Sequence, residues 1–512
     1  MLQTRSFQQS RKRGTMPDSL IDLIIYSVGT ILGLIVVGAI VTFFIRDVTQ
    51  KEHAILRNYP IIGRLRYFFE IQGKYFRQYF FSGDRDEMPF NRATRKWIYK
   101  NAKNRGGIIG FGSTYDLREP GAFIFVNAAF PILEEDQLPT PALSIGEGYC
   151  DQPFLARSII NISAMSYGAI STPAVRALSR GAAKAGCWLN TGEGGLAPCH
   201  LEGECDRIMQ IGTAKYGIRD IQGNFSATRA KEIAQSVKAF EIKLSQGAKP
   251  GKGGVLPASK VNPEIAAIRG IPPYQDSISP NRHHDIGNID ELLDQVAFIR
   301  ELTGRPVGVK TAIGGWHFIN ELCDTILRRG LEYAPDFLTI DGGEGGSGAA
   351  PQTLLDHAGL PITEALPRVV DALIESGLKQ RIRVVAAGKL VTSAQGAWAL
   401  CVGADFINTA RGFMFALGCI QAMRCHLNTC PTGITTHNPR LQRGLVVEEK
   451  YLRVANYALN VNHEINMIAH SCGLKHAREL RREHIRIVEK AGISVALNIL
   501  HPYPETKSTV RN

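Results

Sequence analysis

Three cysteines within twelve residues carry the clearest chemistry in this chain. Cys419, Cys425 and Cys430 stand in a C-x5-C-x4-C spacing inside the stretch 418–433. Thiolate is the ligand that iron–sulfur centres take, and three on one short segment can converge on a single inorganic cluster. Three cysteines rather than four point to a [3Fe–4S] centre, or to a cubane with one ligand that is not cysteine. Pro431 follows the last cysteine and would end the local structure there. Zinc is disfavoured by the lack of a C-x2-C pair. His426, directly after Cys425, is awkwardly placed as a co-ligand. Three ordinary buried thiols are the remaining reading, and spacing alone leaves all of these open.

A second set of candidates recurs along the chain, where short β-branched runs end in glycine or polar residues. These exits hold Met165-Ser166-Tyr167-Gly168, Gly192-Glu193-Gly194-Gly195, the stretch 246–254 with Gln246 and Lys249, then Lys310, the stretch 341–348 with Gly343, Gly388-Lys389, and Arg411-Gly412. Glycine lets backbone N–H groups approach an anion closely. Barrel phosphate sites commonly use the loops after the last two strands. Gly388, Lys389, Arg411 and Gly412 are therefore phosphate candidates, although a single glycine-rich loop is usually only a turn. No G-x-G-x-x-G follows the first run, which argues against a nicotinamide domain. A phosphate grip beside a cluster suggests flavin mononucleotide (FMN). Lys310 could then sit at the N1–O2 edge of the ring and stabilise its anionic reduced form; the plainer reading is a salt bridge to a neighbouring strand end. Glu193 could shuttle a proton or contact substrate; its plainer reading is an acceptor of loop N–H groups.

The elements that must position these residues are legible as a repeat. Eight runs, 159–164, 187–191, 208–212, 240–244, 306–310, 337–340, 382–386 and 405–409, read as strands, several followed by amphipathic helices. Thr172-Pro173 places proline at a first helical position. Asn288 with Glu291 resembles a capping box, and Ser393 can cap the helix before Gly403. Eight strand–helix repeats predict an α/β fold, a closed (β/α)8 TIM barrel, over 151–445. An open doubly wound sheet would bring its ligand to one switch point, whereas here nearly every strand exit is glycine-rich or polar. Residues 446–512 read as a C-terminal helical tail without a catalytic signature.

The 512 residues carry 44% hydrophobic and 21% charged side chains, an ordinary globular balance, with a net charge of +12. A basic chain can favour nucleic acid, anionic membrane or acidic partners. No C-x2-C finger and no long Lys/Arg run supports nucleic acid. Seven of the ten cysteines are scattered, which argues against a disulfide scaffold and for a reducing compartment. A tail with Arg5, Arg11, Lys12 and Arg13 precedes an uncharged run of 23 residues, 23–45. As a helix that run spans about 34 Å, enough to cross a bilayer once. It is too long for a secretory signal, and no small-residue cleavage pattern follows it. Basic residues flank both ends, so charge does not set the orientation; free thiols and cluster assembly favour a cytoplasmic main body. Residues 51–150 form a leader expected to pack on the barrel. Its aromatic segment, with Tyr67, Phe68, Phe69, Tyr75, Phe76, Tyr79, Phe80 and Phe81, reads first as core, with an interfacial membrane belt as the alternative.

The ordered motifs resemble the FMN-binding synthase domain of glutamate synthase, in its membrane-anchored, stand-alone form. The matching pieces are 165–171, 191–195, 246–254, 283–286, Val309-Lys310, 341–351 and 418–433, together covering roughly 155–437. The resemblance implies a [3Fe–4S] cluster on Cys419, Cys425 and Cys430, and FMN contacted by Met165, Ser166, Lys310, Gly343, Gly388 and Gly412. It also implies a substrate site facing Gln246, Lys249 and Glu193. The implied reaction forms 2-iminoglutarate from 2-oxoglutarate and ammonia, and hydride from the reduced flavin then gives L-glutamate. Electrons would come from a ferredoxin, an NAD(P)H-dependent subunit or a quinone, and enter through the cluster.

Some features depart from the family pattern. No glutaminase domain precedes the barrel, so nitrogen is expected from free ammonia or an amidotransferase partner. The long C-terminal solenoid of the large enzymes is also missing. Lys252 stands where the large enzymes usually carry glutamate, and Glu344 adds acidity to the flavin loop. These changes leave room for another oxo acid or amine, such as an N-substituted glutamate. The anchor leaves room for a membrane electron-transfer subunit that performs no amination. Cys199 and Cys205 repeat the x5 spacing without a third partner and read as ordinary thiols.

Overall fold

Parallel strands covered by helices are buried on both faces and read as apolar runs, and here eight of them close on themselves. The computed structural model describes residues 18–490 and 492–506. Its barrel consists of β1 (Ile160–Ile162), β2 (Leu189–Asn190), β3 (Arg207–Ile211), β4 (Ala239–Lys243), β5 (Val307–Thr311), β6 (Phe337–Asp341), β7 (Arg383–Ala387) and β8 (Phe406–Thr409). Each strand pairs in parallel with the next in sequence, and β8 pairs with β1. All eight runs read from the sequence are barrel strands. The outer layer includes α1 (Thr172–Ala185), α2 (Ala227–Ala234), α3 (Ile289–Thr303), α4 (His317–Arg329), α5 (Ile362–Glu375), α6 (Ser393–Val402), α7 (Arg411–Leu417) and α8 (Val447–Ser471).

The helix starts follow capping chemistry. At α1, Ser171 accepts the Ala174 N–H with Pro173 in the first turn, and Gly186 closes the helix at a φ of 68°. At α3, Asn288 accepts the Glu291 N–H at 2.9 Å, but the Glu291 carboxylate takes the Gly287 N–H rather than that of Asn288. The cap of α6 is Thr392, one residue before the expected Ser393. Thr392 and Gln395 satisfy each other's N–H groups reciprocally. Ser393 has Gly396 three residues on and could not do this; it donates instead to Glu464 of α8 at 2.6 Å.

An antiparallel hairpin of Leu143–Ile145 with Phe154–Ala156 closes the N-terminal end of the barrel. Ile145, Phe154, Trp188, Ile208, Phe337 and Phe406 form one buried cluster there. The Trp188 ring lies 5.0 Å from that of Phe406, and its N–H donates to Asn408 at 3.1 Å. Each such side chain contributes about 1.5–3 kcal/mol by burial. On the outside, α8 runs against α1 so closely that a Cβ at Gly181 would collide with Val454. The segment after α8 is not helical throughout. Ile485–Lys490 and Ile493–Ala496 are strands, and Phe123–Phe125 joins them in a three-stranded antiparallel sheet.

The chain divides into two compact units, Met1–Ala93 and Thr94–Asn512. In the first, a helix spans Asp18–Thr49, and its segment Ile21–Thr49 is long and apolar enough to cross a membrane. The basic tail with Arg5, Arg11, Lys12 and Arg13 lies outside the described residues. The aromatic segment is not core: Phe68, Phe69, Phe76, Tyr79, Phe80 and Phe81 are all exposed. Helical periodicity looks the same for a stripe aimed at a core and one aimed elsewhere, so the sequence could not separate them.

Candidate functional site

The strand register brings the site together at the C-terminal ends of β2, β4, β5 and β6. Lys243 and Lys310 are direct neighbours across β4 and β5. Two adjacent ammonium groups need counter-charge, and each has its own. Lys243 Nζ lies 2.9 Å from Glu193 and donates to Gln246 Oε1 at 2.6 Å. Lys310 Nζ lies 3.3 Å from Asp341, which also accepts the Gly247 N–H at 3.1 Å. Lys249 is buried and donates to the Gly253 carbonyl at 3.4 Å. Glu193, Gln246 and Lys249 thus share one site with Lys310, and Lys243 is the residue that joins them.

Electrostatics sharpen the roles. Burial pushes the Glu193 carboxyl up, but Lys243, helped by Lys249 and Arg269, pulls it down to about 2. Burial alone would lower Lys310; Asp341, Glu241 and Glu193 outweigh it and hold the ammonium above its ordinary range. At Lys249 burial wins over Glu193 and the pKa falls. The cations Lys243, Lys249, Lys252, Arg269 and Lys310 outnumber the carboxylates Glu193, Glu241 and Asp341 that act within this group. The excess is positive and suits an anionic ligand. Glu241 lies deeper, where Asn190, Gln210 and Thr339 donate to it at 2.9, 2.6 and 2.8 Å. His283, of the His283-His284-Asp285 stretch, bonds the Lys243 carbonyl through Nε2 at 3.0 Å, and its buried Nδ1 has no protein partner.

The expected flavin residues occupy neighbouring strand exits. Met165 and Ser166 lie in the loop after β1 and border Gly192 of the loop after β2. The glycines each have a structural reason of their own. A Cβ at Gly343 would strike the Gly359 carbonyl, one at Gly388 would meet Gly342 N at 2.9 Å, and one at Gly412 would strike the Tyr457 hydroxyl. Gly388 also has a φ of 120°, and Lys389 after it a φ of 48°. Arg411 donates to the Ser347 carbonyl at 2.8 Å, which ties the exit of β8 to the loop after β6.

Glu344 does not add free acidity to that loop. Both its oxygens accept the Ile362 N–H at 3.1 Å, so it caps α5, where no side chain of the N-cap residue Pro361 can. Glu344→Ala is expected to cost about 0.5–2 kcal/mol, as for a lost cap, in chemical denaturation. The same variant should keep the parent's catalytic rate; a large loss of rate with unchanged stability would contradict the capping role.

The cysteine loop is shaped by its surroundings. Gln421 and Met423 have left-handed φ values, 58° and 54°, which such side chains adopt only when their context imposes it, and Asn428, at 57°, is a residue that takes this conformation readily. Buried Lys260 supplies part of that context, donating to the Cys425 carbonyl at 2.7 Å and to the Ala169 carbonyl at 3.1 Å. His437 bonds the Gly168 carbonyl at 2.8 Å, and Ser171 the Gly433 carbonyl at 2.7 Å. The loop is therefore fastened to the exit of β1, beside Met165 and Ser166. Burial raises the Cys430 thiol, but hydrogen bonds, first from the Thr432 hydroxyl at 3.3 Å, bring it below its ordinary value. Burial raises Cys419, on which the charges of Cys425 and Cys430 also act. Three soft donors within electrostatic reach of one another are the right chemistry for a cluster. Among the described residues, no group of three His, Cys, Asp or Glu side chains forms a ready-made site for a single metal ion. Cys199 and Cys205 are free buried thiols.

Lys243, Arg269 and Lys260 are further candidate side chains that the sequence alone did not single out. One signal was present. Glu241 and Lys243 put two charges on the inward face of an otherwise apolar strand, which a purely structural strand would avoid. Arg269 and Lys260 lie on connecting segments and carry no local signal.

A family model described as "Conserved region in glutamate synthase" matches residues 128–475. The chain is 39% identical to the glutamate synthase large subunit-like protein YerD of Bacillus subtilis (strain 168), over 94% of this chain and 99% of that one. It is 37% identical to the archaeal glutamate synthase (NADPH) of Methanocaldococcus jannaschii, over 64% of this chain and 61% of that one. With the glutamate synthase (NADPH) large chain of B. subtilis it shares 31% identity, over 63% of this chain and 21% of the other. Solved structures with a similar chain path include a mandelate oxidase variant with a monooxide FMN adduct, at TM-score 0.40, 15% identity and 83% and 99% coverage. A flavocytochrome b2 variant with pyruvate bound matches at TM-score 0.45, 13% identity and 86% and 92% coverage.

Proposed function

This chain belongs to the glutamate synthase family, and on that premise we propose that it makes L-glutamate by reductive amination of 2-oxoglutarate. Its general character as a glutamate synthase-like oxidoreductase follows from the family. The observation that carries the finer reading is the Glu193–Lys243–Gln246 group with Lys249 and Lys310 at adjoining strand ends. FMN held by Met165, Ser166, Lys310, Gly343, Gly388, Lys389, Arg411 and Gly412 would supply hydride, and a [3Fe–4S] cluster on Cys419, Cys425 and Cys430 would supply electrons. The surplus positive charge at the barrel mouth suits both a flavin phosphate and a dicarboxylate.

The chain's own groups divide the remaining work. Lys249 and Lys243 bind the substrate carboxylates. Gln246 and Glu193 hold the Lys243 ammonium in place. Glu193, drawn down to about 2, stays a carboxylate at neutral pH and serves as an orienting charge rather than as an acid or base. Lys249, whose pKa burial lowers, keeps its ammonium as a substrate carboxylate arrives to pair with it. His283 fixes the end of β4 through the Lys243 carbonyl.

Nitrogen would come from free ammonia or an amidotransferase partner. The electron donor would be a ferredoxin, an NAD(P)H-dependent subunit or a quinone, and a net charge of +12 suits docking of an acidic carrier. The apolar helix would anchor the chain in a membrane by one span, with the catalytic unit in the cytoplasm. Lys252, whose charge acts on Lys249, favours a second reading, reductive amination of another oxo acid or oxidation of another amine.

The test is anaerobic stopped-flow on the detergent-solubilised, fully reduced protein. Mixed with 2-oxoglutarate and ammonium, it is expected to reoxidise its flavin rapidly and form glutamate in equal amount. Flavin that reduces but never reoxidises under these conditions would overturn the 2-oxoglutarate reading.

A further inference from the structure

The unit ending at Ala93 contains a segment that the catalytic reading does not use. After the apolar helix Asp18–Thr49 the chain turns back through Ala54–Asn58 into a second helix, Gly63–Phe76, which continues to Phe81. The turn is tightly fixed. Asp47, only 1% exposed, accepts both the Ile61 N–H and the Arg64 Nε–H at 2.9 Å, and Arg64 also lies over the Phe43 ring at 4.5 Å. Ile61 has a φ of 68°, costly for a β-branched residue, and the Asp47 bond helps to hold it there. The start of the second helix is thereby pinned beside the end of the first.

The second helix has two unlike faces. Arg66, Glu70 and Lys74 recur at four-residue spacing along one side. Leu65, Phe68, Phe69 and Phe76 stand on the other, and all four are at least 49% exposed. Phe80 and Phe81 beyond them are 75% and 77% exposed. So large an apolar patch is seldom left to water. Over 54–81 the charges are Arg57, Arg64, Arg66, Lys74 and Arg77 against Glu70 alone. Aromatic side chains on one face with a basic opposite face are the composition of a helix lying in an anionic membrane interface.

We propose that residues 63–81 lie in the headgroup layer of an anionic bilayer and form a second membrane contact beside the span. This rests on reading Ile21–Thr49 as that span. Lipid is the occupant because the patch is continuous with the apolar helix, through the Asp47–Arg64 hinge, and because its charge complements anionic headgroups.

The test reconstitutes the full-length protein in vesicles of phosphatidylcholine and phosphatidylglycerol carrying a lipid with a photoactivatable acyl chain, then maps cross-links by mass spectrometry. Labels on 65–81 as well as on 21–49 are expected. Phe68→Ser, Phe69→Ser, Phe80→Ser and Phe81→Ser together should reduce the labels on 65–81 several-fold and leave those on 21–49. Labels confined to 21–49 would overturn the proposal and leave the span intact. Labels on neither segment would overturn both readings.

Discussion

Lys243→Met is expected to lower kcat/KM for 2-oxoglutarate by about thirty- to several-thousand-fold, the range that follows from truncating one partner of a buried charge pair that also holds a carboxylate ligand. It is also expected to cost about 3–5 kcal/mol of stability, because it strands a buried carboxylate. In the pair, the Lys243 side chain is 11% exposed and that of Glu193 18%, with 2.9 Å between them. Glu193→Gln should also destabilise, leaving Lys243 with Gln246 as its nearest partner. The double variant should be more stable than the sum of the single losses requires, since it removes both charges together. It should regain no activity. Losses that simply add in chemical denaturation would mean the two groups are not coupled, and the site reading would fail. The pH dependence follows from the same pair. Glu193 is held near 2, below its ordinary 4.5, so its contribution is complete above 4.5 and is lost as pH falls towards 2. In Lys243→Met the largest cause that lowers the carboxyl is gone and only Lys249 and Arg269 still oppose burial, so its pKa rises and less stability is lost as pH falls below 4.5. A variant whose acid limb matches that of the parent would contradict this account.

Much of the barrel was legible because its strands are buried on both faces and bounded by glycine or polar exits. That pattern is local, and so are the caps at Ser171 and Asn288. What escaped reading depends on pairing across long stretches of chain. Glu344 looks like acidity in a ligand loop until α5 arrives to be capped. Phe123–Phe125 becomes a strand only because Ile485–Lys490 lies beside it. In the site, Glu193, Gln246, Lys249 and Lys310 could be picked out because each follows or ends a strand. Lys243 could not be assigned a role until its neighbours in register were known. The glycines are a subtler case. Gly388 and Gly412 suit anion approach by their position, but Gly342 N and the Tyr457 hydroxyl already demand a missing Cβ at each.

Cys419→Ser, Cys425→Ser and Cys430→Ser are each expected to strip the purified protein of iron and acid-labile sulfide while leaving its flavin. The three thiols belong to one loop whose backbone is held in left-handed turns at Gln421, Met423 and Asn428. That loop is fastened to the exit of β1 by Lys260, His437 and Ser171. A loop constrained in this way presents its donors as a set, so removal of one should empty the whole site rather than weaken it by a third. Cys199→Ala and Cys205→Ala are the matched controls, since they share the x5 spacing but are free buried thiols in another segment of the chain. Both should keep their iron. Loop variants that retained iron and sulfide would show that the cluster is not held there. Zinc in the parent protein in place of iron would return Cys419, Cys425 and Cys430 to a structural role, and electrons would have to reach the flavin by another path. With iron present, electron paramagnetic resonance of the oxidised protein separates three irons from four. The three-iron form is expected, because the loop offers three thiolates and His426 is poorly placed to be the fourth ligand.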